Sequence, residues 1–255
     1  MTLTECPVCN SKDLKDVLSA KDYLVTNQFF AIQECGECTT RLTNPRPDEK
    51  ELNQYYQSEE YISHTNESNS LINRVYKLAR FFTLRSKRKL ISAEQNNQTL
   101  LDIGCGTGHF IHHCIDNGWE VVGVEPDDSA RNIAQVGIKK LIHKTLNDVI
   151  EDQFDRITLW HVLEHLPDLS STFQSLRNLL SEDGKIFIAV PNYLAWEESK
   201  YKADWAAYDV PRHLYHFTPA SINHLAKTNG LEVEQTYPMR LDSFYISLLS
   251  NKNKF

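Results

Sequence analysis

Two groups of residues in this chain have types and spacings that can do chemistry. One is Cys6-Pro7-Val8-Cys9 with Cys35-Gly36-Glu37-Cys38; the other is Asp102-Ile103-Gly104-Cys105-Gly106-Thr107-Gly108, followed by Glu125-Pro126. Each C-x-x-C bend turns two sulfurs toward one point, and the 25 residues between the pairs are enough to bring both bends together. Four thiolates then complete a tetrahedron, the closed structural form zinc prefers; iron fits the same spacing. A redox C-x-x-C would need one pair opening a helix after a strand, which two matched pairs do not suggest. Cys105 and Cys114 lie outside this pattern and read as packing residues.

The second group starts with Leu100-Leu101-Asp102-Ile103, a short apolar run around an acid, which predicts a buried strand. Three glycines at alternate positions follow, and His109-Phe110-Ile111 open a helical pattern that Gly118 closes. Without Cβ atoms a ligand can lie on the backbone, facing the amides of the first helical turn. The dinucleotide fingerprint is G-x-G-x-x-G, whereas here the third glycine comes one residue early and Asp102 precedes the first by two. A carboxylate beside the loop suits a ligand with a cationic end. Glu120-Val121-Val122-Gly123-Val124-Glu125-Pro126 reads as a second strand ending in an acid that can accept hydrogen bonds from both ribose hydroxyls. A domain of similar build that binds NAD is the alternative.

Together, D-x-G-x-G-x-G and V-x-G-V-E-P resemble the class I S-adenosylmethionine-dependent methyltransferases, over roughly residues 99–240. The resemblance implies a Rossmann-like parallel sheet with helices on both faces. It also implies that Asp102, Gly104, Cys105, Gly106 and Gly108 hold the methionine end of the cofactor and Glu125 the ribose. Pro126, Thr145, Leu146 and His161 complete the expected cofactor-binding set.

Phe154–Trp160 reads as a further strand leading into His161-Val162-Leu163-Glu164-His165-Leu166-Pro167. H-x-x-E-H is a metallopeptidase string, but that reading needs a long helix, and here a strand precedes and a proline follows. The segment is more similar to the V-L-E-H of ubiquinone-biosynthesis-type O-methyltransferases. Some of these carry E-x-x-E-H and bind magnesium; His161 in place of the first glutamate argues against a hard, oxygen-only metal here. His165 is expected as a base or as a structural cap. Gly184–Asn192 reads as a fifth strand, and the loop after it, with Trp196, Trp205, Asp209, Arg212, His213, Tyr215 and His216, as a substrate wall; His213 and Asp209 are its candidate catalytic residues.

The elements that must position these groups fall into three expected stretches: a zinc ribbon over 1–45, a helical linker or lid over 46–98, and the methyltransferase domain over 99–255. In the ribbon, Tyr23–Val25 and Phe29–Ile32 are the strand-like runs. Pro45-Arg46-Pro47 ends it, and the tyrosine-rich 55–61 is either a surface helix or a lid. Leu71, Val75, Leu78 and Phe82 predict one helix, whose other face carries Arg74, Lys77, Arg85, Lys87, Arg88 and Lys89, read as solvated. Leu231–Glu234 fits strand six of the expected sheet, but Leu241–Leu249 looks helical, so a seventh strand is missing or lies beyond the sequence.

With 41% hydrophobic and 24% charged residues, the 255-residue chain has the composition of a soluble globular protein. It has no apolar run of membrane-span length and no signal peptide, which makes a cytoplasmic protein the expectation. Residues 1–99 balance 13 Lys and Arg against 13 Asp and Glu, whereas 100–255 carry 14 against 21. That acidic half disfavours a polyanionic substrate. The expected function is methyl transfer to a small-molecule oxygen, nitrogen or carbon acceptor. An RNA methyltransferase gripping nucleic acid with its ribbon, and a non-catalytic cofactor-binding scaffold, are the alternatives. The sequence does not specify an oligomeric state.

Overall fold

The structure, a computed structural model, describes residues 1–56, 71–92, 98–150 and 153–254, with side chains at all of these but 49, 53 and 71–79. In chain order the main elements are β1 (Leu14–Lys21), β2 (Phe29–Cys35), β3 (Arg41–Thr43), α1 (Leu71–Ile91), β4 (Thr99–Ile103), α2 (His109–Ile115), β5 (Glu120–Val124) and α3 (Asp128–Gln135). They continue as β6 (Ile142–His143), β7 (Phe154–Trp160), α4 (Leu169–Leu179), β8 (Leu180–Ala189), α5 (Trp196–Tyr201), β9 (Tyr215–His216), α6 (Pro219–Thr228) and α7 (Arg240–Lys254).

Packing divides the chain into two units. One takes Met1–Asn66, Glu164–Ser171 and Val190–Phe255; the other takes Glu67–Leu163 and Thr172–Ala189. The second holds a parallel sheet of order β6-β5-β4-β7-β8. Strand order reverses between β4 and β7, so their carboxyl ends flank the crevice where an open parallel sheet receives ligands. Leu100, Leu101, Val121, Val122, Ile157 and Leu159 are buried, as continuous apolar strands of a sheet covered on both faces must be. Ile91 of α1, Phe110, Ile111 and Cys114 of α2, and Trp119 form one core cluster with Leu100, Val121 and Cys105. Phe82, expected on the buried stripe of α1, is instead 55% exposed. On the opposite, basic face, Lys87 is not simply solvated: its Nζ lies over the Trp160 ring, 4.6 Å from the centroid.

The other unit is built on an antiparallel sheet of order β1-β2-β3-β9. β1 pairs with β2 from Leu14↔Cys35 to Lys21↔Phe29, with a bulge between Asp16 and Leu18. The run Tyr23–Val25 is not a strand. It forms a turn closed by Asp22, whose buried carboxylate accepts from the amides of Leu24, Val25 and Thr26. β1 mixes four apolar with four polar residues, with no more than two apolar ones in a row, and is hence invisible to an apolar-run reading. β9, about 170 residues downstream in chain order, adds to β3 through Arg41↔His216 and Leu42↔Tyr215.

The expected sixth strand, Leu231–Glu234, has no place in either sheet. Its residues are at least partly exposed, and the chain goes on into α7 rather than into a seventh strand, so no ladder forms here among the described residues. The helix expected over Leu241–Leu249 lies within α7. Among the described residues no helix is long and apolar enough to cross a membrane.

Candidate functional site

In the unit with the parallel sheet, the expected cofactor residues sit at the carboxyl ends of β4, β5, β6 and β7. The β4–α2 loop is held by its own amides: Gly104 and Cys105 donate to the Val124 carbonyl at 2.8 and 3.0 Å, and Gly108 donates to the Cys105 carbonyl at 3.0 Å. Gly104 has φ +68°, and a Cβ there would lie 2.4 Å from Cγ2 of Val162. Gly106 has φ +55° and nothing within 4 Å of where its Cβ would be. That space is a cradle which a side chain would fill, as expected for a ligand resting on the loop.

Glu125 does something the sequence did not reveal. Its Oε2 accepts the Gly106 amide at 2.8 Å and its Oε1 accepts the Asp127 amide at 2.9 Å. One carboxylate therefore latches the glycine loop to the exit of β5, and each oxygen keeps a second lone pair for a ligand hydroxyl. Burial pushes its pKa up, against the two amides, which stabilise the anion. Pro126 follows directly and leads to Asp127, which caps α3 by accepting from Ala130. Nothing in the spacing of G-x-G-x-G and the acid 19 residues on from Gly106 separates latch from ligand contact.

Asp102 is buried within β4, paired across the sheet with Gly123 on one side and Thr158 on the other. Thr158 donates its hydroxyl to Asp102 Oδ1 at 2.6 Å. Burial raises the Asp102 pKa to about 7, with the Glu125 charge adding to it and Thr158 and Lys87 opposing. Asp102 is thus not an exposed carboxylate. Cys105 is buried, and burial raises its thiol well above the ordinary range, so it stays a neutral thiol. Thr145 and Leu146 follow β6 in a turn capped by Asp148, which accepts from the Thr145 amide and hydroxyl. His161 stands exposed at the end of β7 with φ +59°, its amide donating to the Ala189 carbonyl of β8. A left-handed non-glycine at a strand end is strained backbone of the kind that collects at functional sites.

The H-x-x-E-H string does not lie on a helix; its second half is a single 3-10 turn, Leu163–His165. That disposes of the peptidase geometry, which needs both histidines on one helical face.

In the unit with the antiparallel sheet, the four cysteines converge, with all sulfurs within 4.8 Å of one another. Cys6 and Cys38 are 3.5 Å apart and Cys9 and Cys35 3.4 Å, none of them in a disulfide. Thiolates about 2.3 Å from one zinc lie roughly 3.8 Å apart, so the set fits that metal. The two knuckles share a geometry: the residue after the second cysteine turns left-handed at Asn10 (φ 61°) and one residue on from Cys38 at Thr39 (φ 58°). Each of these amides donates back to the first cysteine of its pair, Asn10 to Cys6 and Thr39 to Cys35. Cys6 and Thr40 pull the Cys38 thiol down to about 4, whereas burial pushes Cys9 up to about 11.

The same unit gathers the candidate catalytic residues. His165 and His213 meet edge to face at 4.6 Å. Burial, then the neighbouring His213, lower His165 to about 4, so its imidazole is neutral. Asp209 is bound to Arg212, whose Nε and Nη2 donate to it at 3.0 and 2.6 Å. Burial alone would raise Asp209; the charge and hydrogen bond of Arg212, together with His213 and His165, outweigh it and hold the carboxyl below its usual range. Arg212 also donates to Asp22 and to the Tyr55 carbonyl, making Asp209 part of a buried ion network. Tyr56, in the expected lid region, places its hydroxyl 3.1 Å from His165 Nδ1. The rest of that region, 57–61, lies outside the described residues. Of the expected substrate wall, Trp205 is buried in a core cluster with Tyr201 and Tyr208, while Trp196 is 65% exposed.

Comparison with known proteins gives a consistent picture. The profile of a family described as a methyltransferase domain matches residues 73–236, more than half of the chain. The ubiquinone biosynthesis O-methyltransferase of Nitrosomonas europaea is 25% identical over 151 residues, covering 53% of this chain and 64% of that protein. The enzyme of the same name from Actinobacillus pleuropneumoniae is 34% identical over 106 residues, 36% of this chain and 45% of that one. The chain thus spans less than two thirds of the length of such relatives. Among solved structures, magnesium protoporphyrin IX methyltransferase from Synechocystis PCC 6803 with bound SAH superposes with a TM-score of 0.57 at 16% identity, covering 74% of this chain and 92% of that one. Phosphoethanolamine N-methyltransferase 2 of Haemonchus contortus, in complex with S-adenosyl-L-methionine, gives 0.52 at 19% identity, covering 67% and 41%. These likenesses show a shared fold. With a sheet of order β6-β5-β4-β7-β8, a glycine loop latched by Glu125 and a matching profile over residues 73–236, the chain belongs to the methyltransferase-domain family.

Proposed function

We propose that this protein transfers the methyl group of S-adenosylmethionine to a small-molecule acceptor. The observation that carries the reading is the Glu125 latch, which fixes the glycine loop and keeps two carboxylate oxygens available beside it. When bound, the sulfonium cofactor supplies the activated methyl group, so the protein need not activate an electrophile. What the chain supplies is position. Gly104, Cys105, Gly106 and Gly108 form the bed, and Glu125 with Pro126 sets the ribose end. Asp102 places negative charge beneath the cationic end, and Thr145, Leu146 and His161 border the cradle. Holding reactants in line can be worth roughly 7–11 kcal/mol.

On the acceptor side we assign His165 and His213 as proton acceptors and Asp209 as a positioning residue that acts through Arg212. His165 donates Nδ1–H to the Arg212 carbonyl, which leaves Nε2 as its basic atom. The four cysteines would hold a structural zinc that supplies much of the stability of β1–β3. The relatives named for ubiquinone biosynthesis favour a quinone-like acceptor. The sequence modules 1–45, 46–98 and 99–255 and a cytoplasmic location belong to the same proposal.

The test is transfer of labelled methyl from S-adenosylmethionine to small acceptors extracted from cells. Label appearing in small molecules, and absent with a Glu125→Ala variant, supports the reading. Label appearing only in RNA would replace it with the nucleic-acid alternative.

A further inference from the structure

In the unit built on the antiparallel sheet, one helix presents its faces in reverse. α7 docks through Ser243, Ile246, Ser250 and Asn253, whose spacing keeps them on one helical face. Ser243 donates its hydroxyl to the Glu197 carboxylate of α5. Ser250 Oγ accepts the Ala206 amide at 2.9 Å, and Asn253 Nδ2 donates to the Asp204 carbonyl at 3.3 Å. Of these four, Ile246 packs against the core cluster of Tyr201, Trp205 and Tyr208. The apolar stripe of the helix points the other way. Leu241, Phe244, Tyr245 and Leu248 are each between 42 and 68% exposed. A surface helix ordinarily buries such a stripe and shows water its polar one.

Leu194 and Trp196 are exposed as well, and they lead into Glu197, which Ser243 holds, so they border the stripe at its N-terminal end. The six side chains together show water roughly 700 Å² of surface, more than the roughly 300–600 Å² of the largest apolar patch on an ordinary monomer. That area is close to the roughly 800 Å² which each partner brings to a standard interface. The stripe is also its own reverse. Its positions, 241, 244, 245 and 248, follow one another at intervals of three, one and three. An antiparallel copy therefore meets it in register, with Leu241 against Leu248 and Phe244 against Tyr245, and a two-fold axis makes each contact twice. Opposite helix ends then lie side by side, so the two macrodipoles attract, whereas a parallel pair would set like ends together.

We propose that α7 pairs with α7 of a second copy of this chain, antiparallel about a two-fold axis, with Leu194 and Trp196 at the rim. The paired face shares no residue with the cysteine cluster or the glycine loop. It stands independently of the methyl-transfer reading, because its tests use no cofactor.

The experiment is the mass of the full-length chain in solution, by light scattering after gel filtration. At about 50 µM the mass should be twice that of one chain, because interfaces of this size bind at micromolar affinity or tighter. Phe244→Asp, Leu241→Glu and Leu248→Lys should each be monomeric at unchanged circular dichroism. Combining Leu241→Glu with Leu248→Lys should restore the doubled mass, because antiparallel pairing sets position 241 of one copy against 248 of the other and so matches opposite charges. Amide exchange over residues 241–249 should slow between about 1 and about 50 µM chain. The proposal is overturned if the wild-type chain is monomeric at the higher concentration, or if its dimer survives Phe244→Asp. It is likewise overturned if the double variant stays as monomeric as the single ones. A monomer that pellets with vesicles of phosphatidylcholine and phosphatidylglycerol would give the stripe to a lipid surface instead. Should the variants not fold, the wild-type mass and the exchange over 241–249 decide.

Discussion

Glu125 illustrates how a single carboxylate can build a site as well as serve it. Its two oxygens accept two backbone amides, Gly106 and Asp127, and glutamine can match only one of these. Glu125→Gln leaves one buried amide facing an NH₂ group, a loss of about 2 kcal/mol, or roughly thirtyfold in affinity for S-adenosylhomocysteine by calorimetry. Unchanged affinity would mean that the latch is not part of the binding site. Asp102 gives a pH signature. Burial raises its folded pKa to about 7, above an unfolded value of about 3.9. The folded state therefore holds the proton more tightly, and this contribution to stability is lost as pH rises from about 4 through about 7. Chemical denaturation across that range should show a declining term that Asp102→Asn removes. Affinity for the sulfonium cofactor should move the opposite way, rising from pH 6 to pH 8 as the carboxylate ionises, with no such rise in Asp102→Asn.

At the scale of elements, the β4–α2 turn is where geometry is least forgiving. Gly104→Ala meets both a left-handed φ of +68° and Val162 Cγ2 at 2.4 Å. A loss of about 1–3 kcal/mol in stability is expected. Adding Val162→Ala should recover only part of it, since the backbone strain remains; full recovery would put the whole cost on the contact. The ribbon strands make a different prediction. β3 pairs with β9, so, with zinc on the cysteines as proposed, stripping it should speed amide exchange at Tyr215–His216 as well as at Arg41–Thr43, while β4 and β7 stay protected. Equal change in both sheets would contradict it. The same pairing shows why part of the fold was not legible in the sequence. The strand–loop–helix at Asp102–Ile111 is written in ten consecutive residues, and local spacing suffices to read it. β1 hides behind alternating polar residues, and the β3–β9 and Asp22–Arg212 pairings join residues about 170 and 190 apart. Leu231–Glu234 has the right composition for a strand but joins no ladder among the described residues, which is a tertiary fact. The same holds for the site. The Glu125 contact with Gly106 and the Thr158 contact with Asp102 both depend on strand register, and a spacing rule does not contain register.

For the molecule as a whole, the two packed units carry distinct groups. One supplies a parallel sheet whose switch point carries the cofactor cradle; the other supplies a cysteine cluster and a histidine–carboxylate cluster. Every functional statement depends on the cradle accepting a sulfonium nucleoside. Calorimetric titration of the full-length protein with S-adenosylmethionine and S-adenosylhomocysteine tests that most directly. One site per chain is expected for each, weakened about thirtyfold by Glu125→Gln. No heat with either compound, or binding indifferent to Glu125, would contradict it.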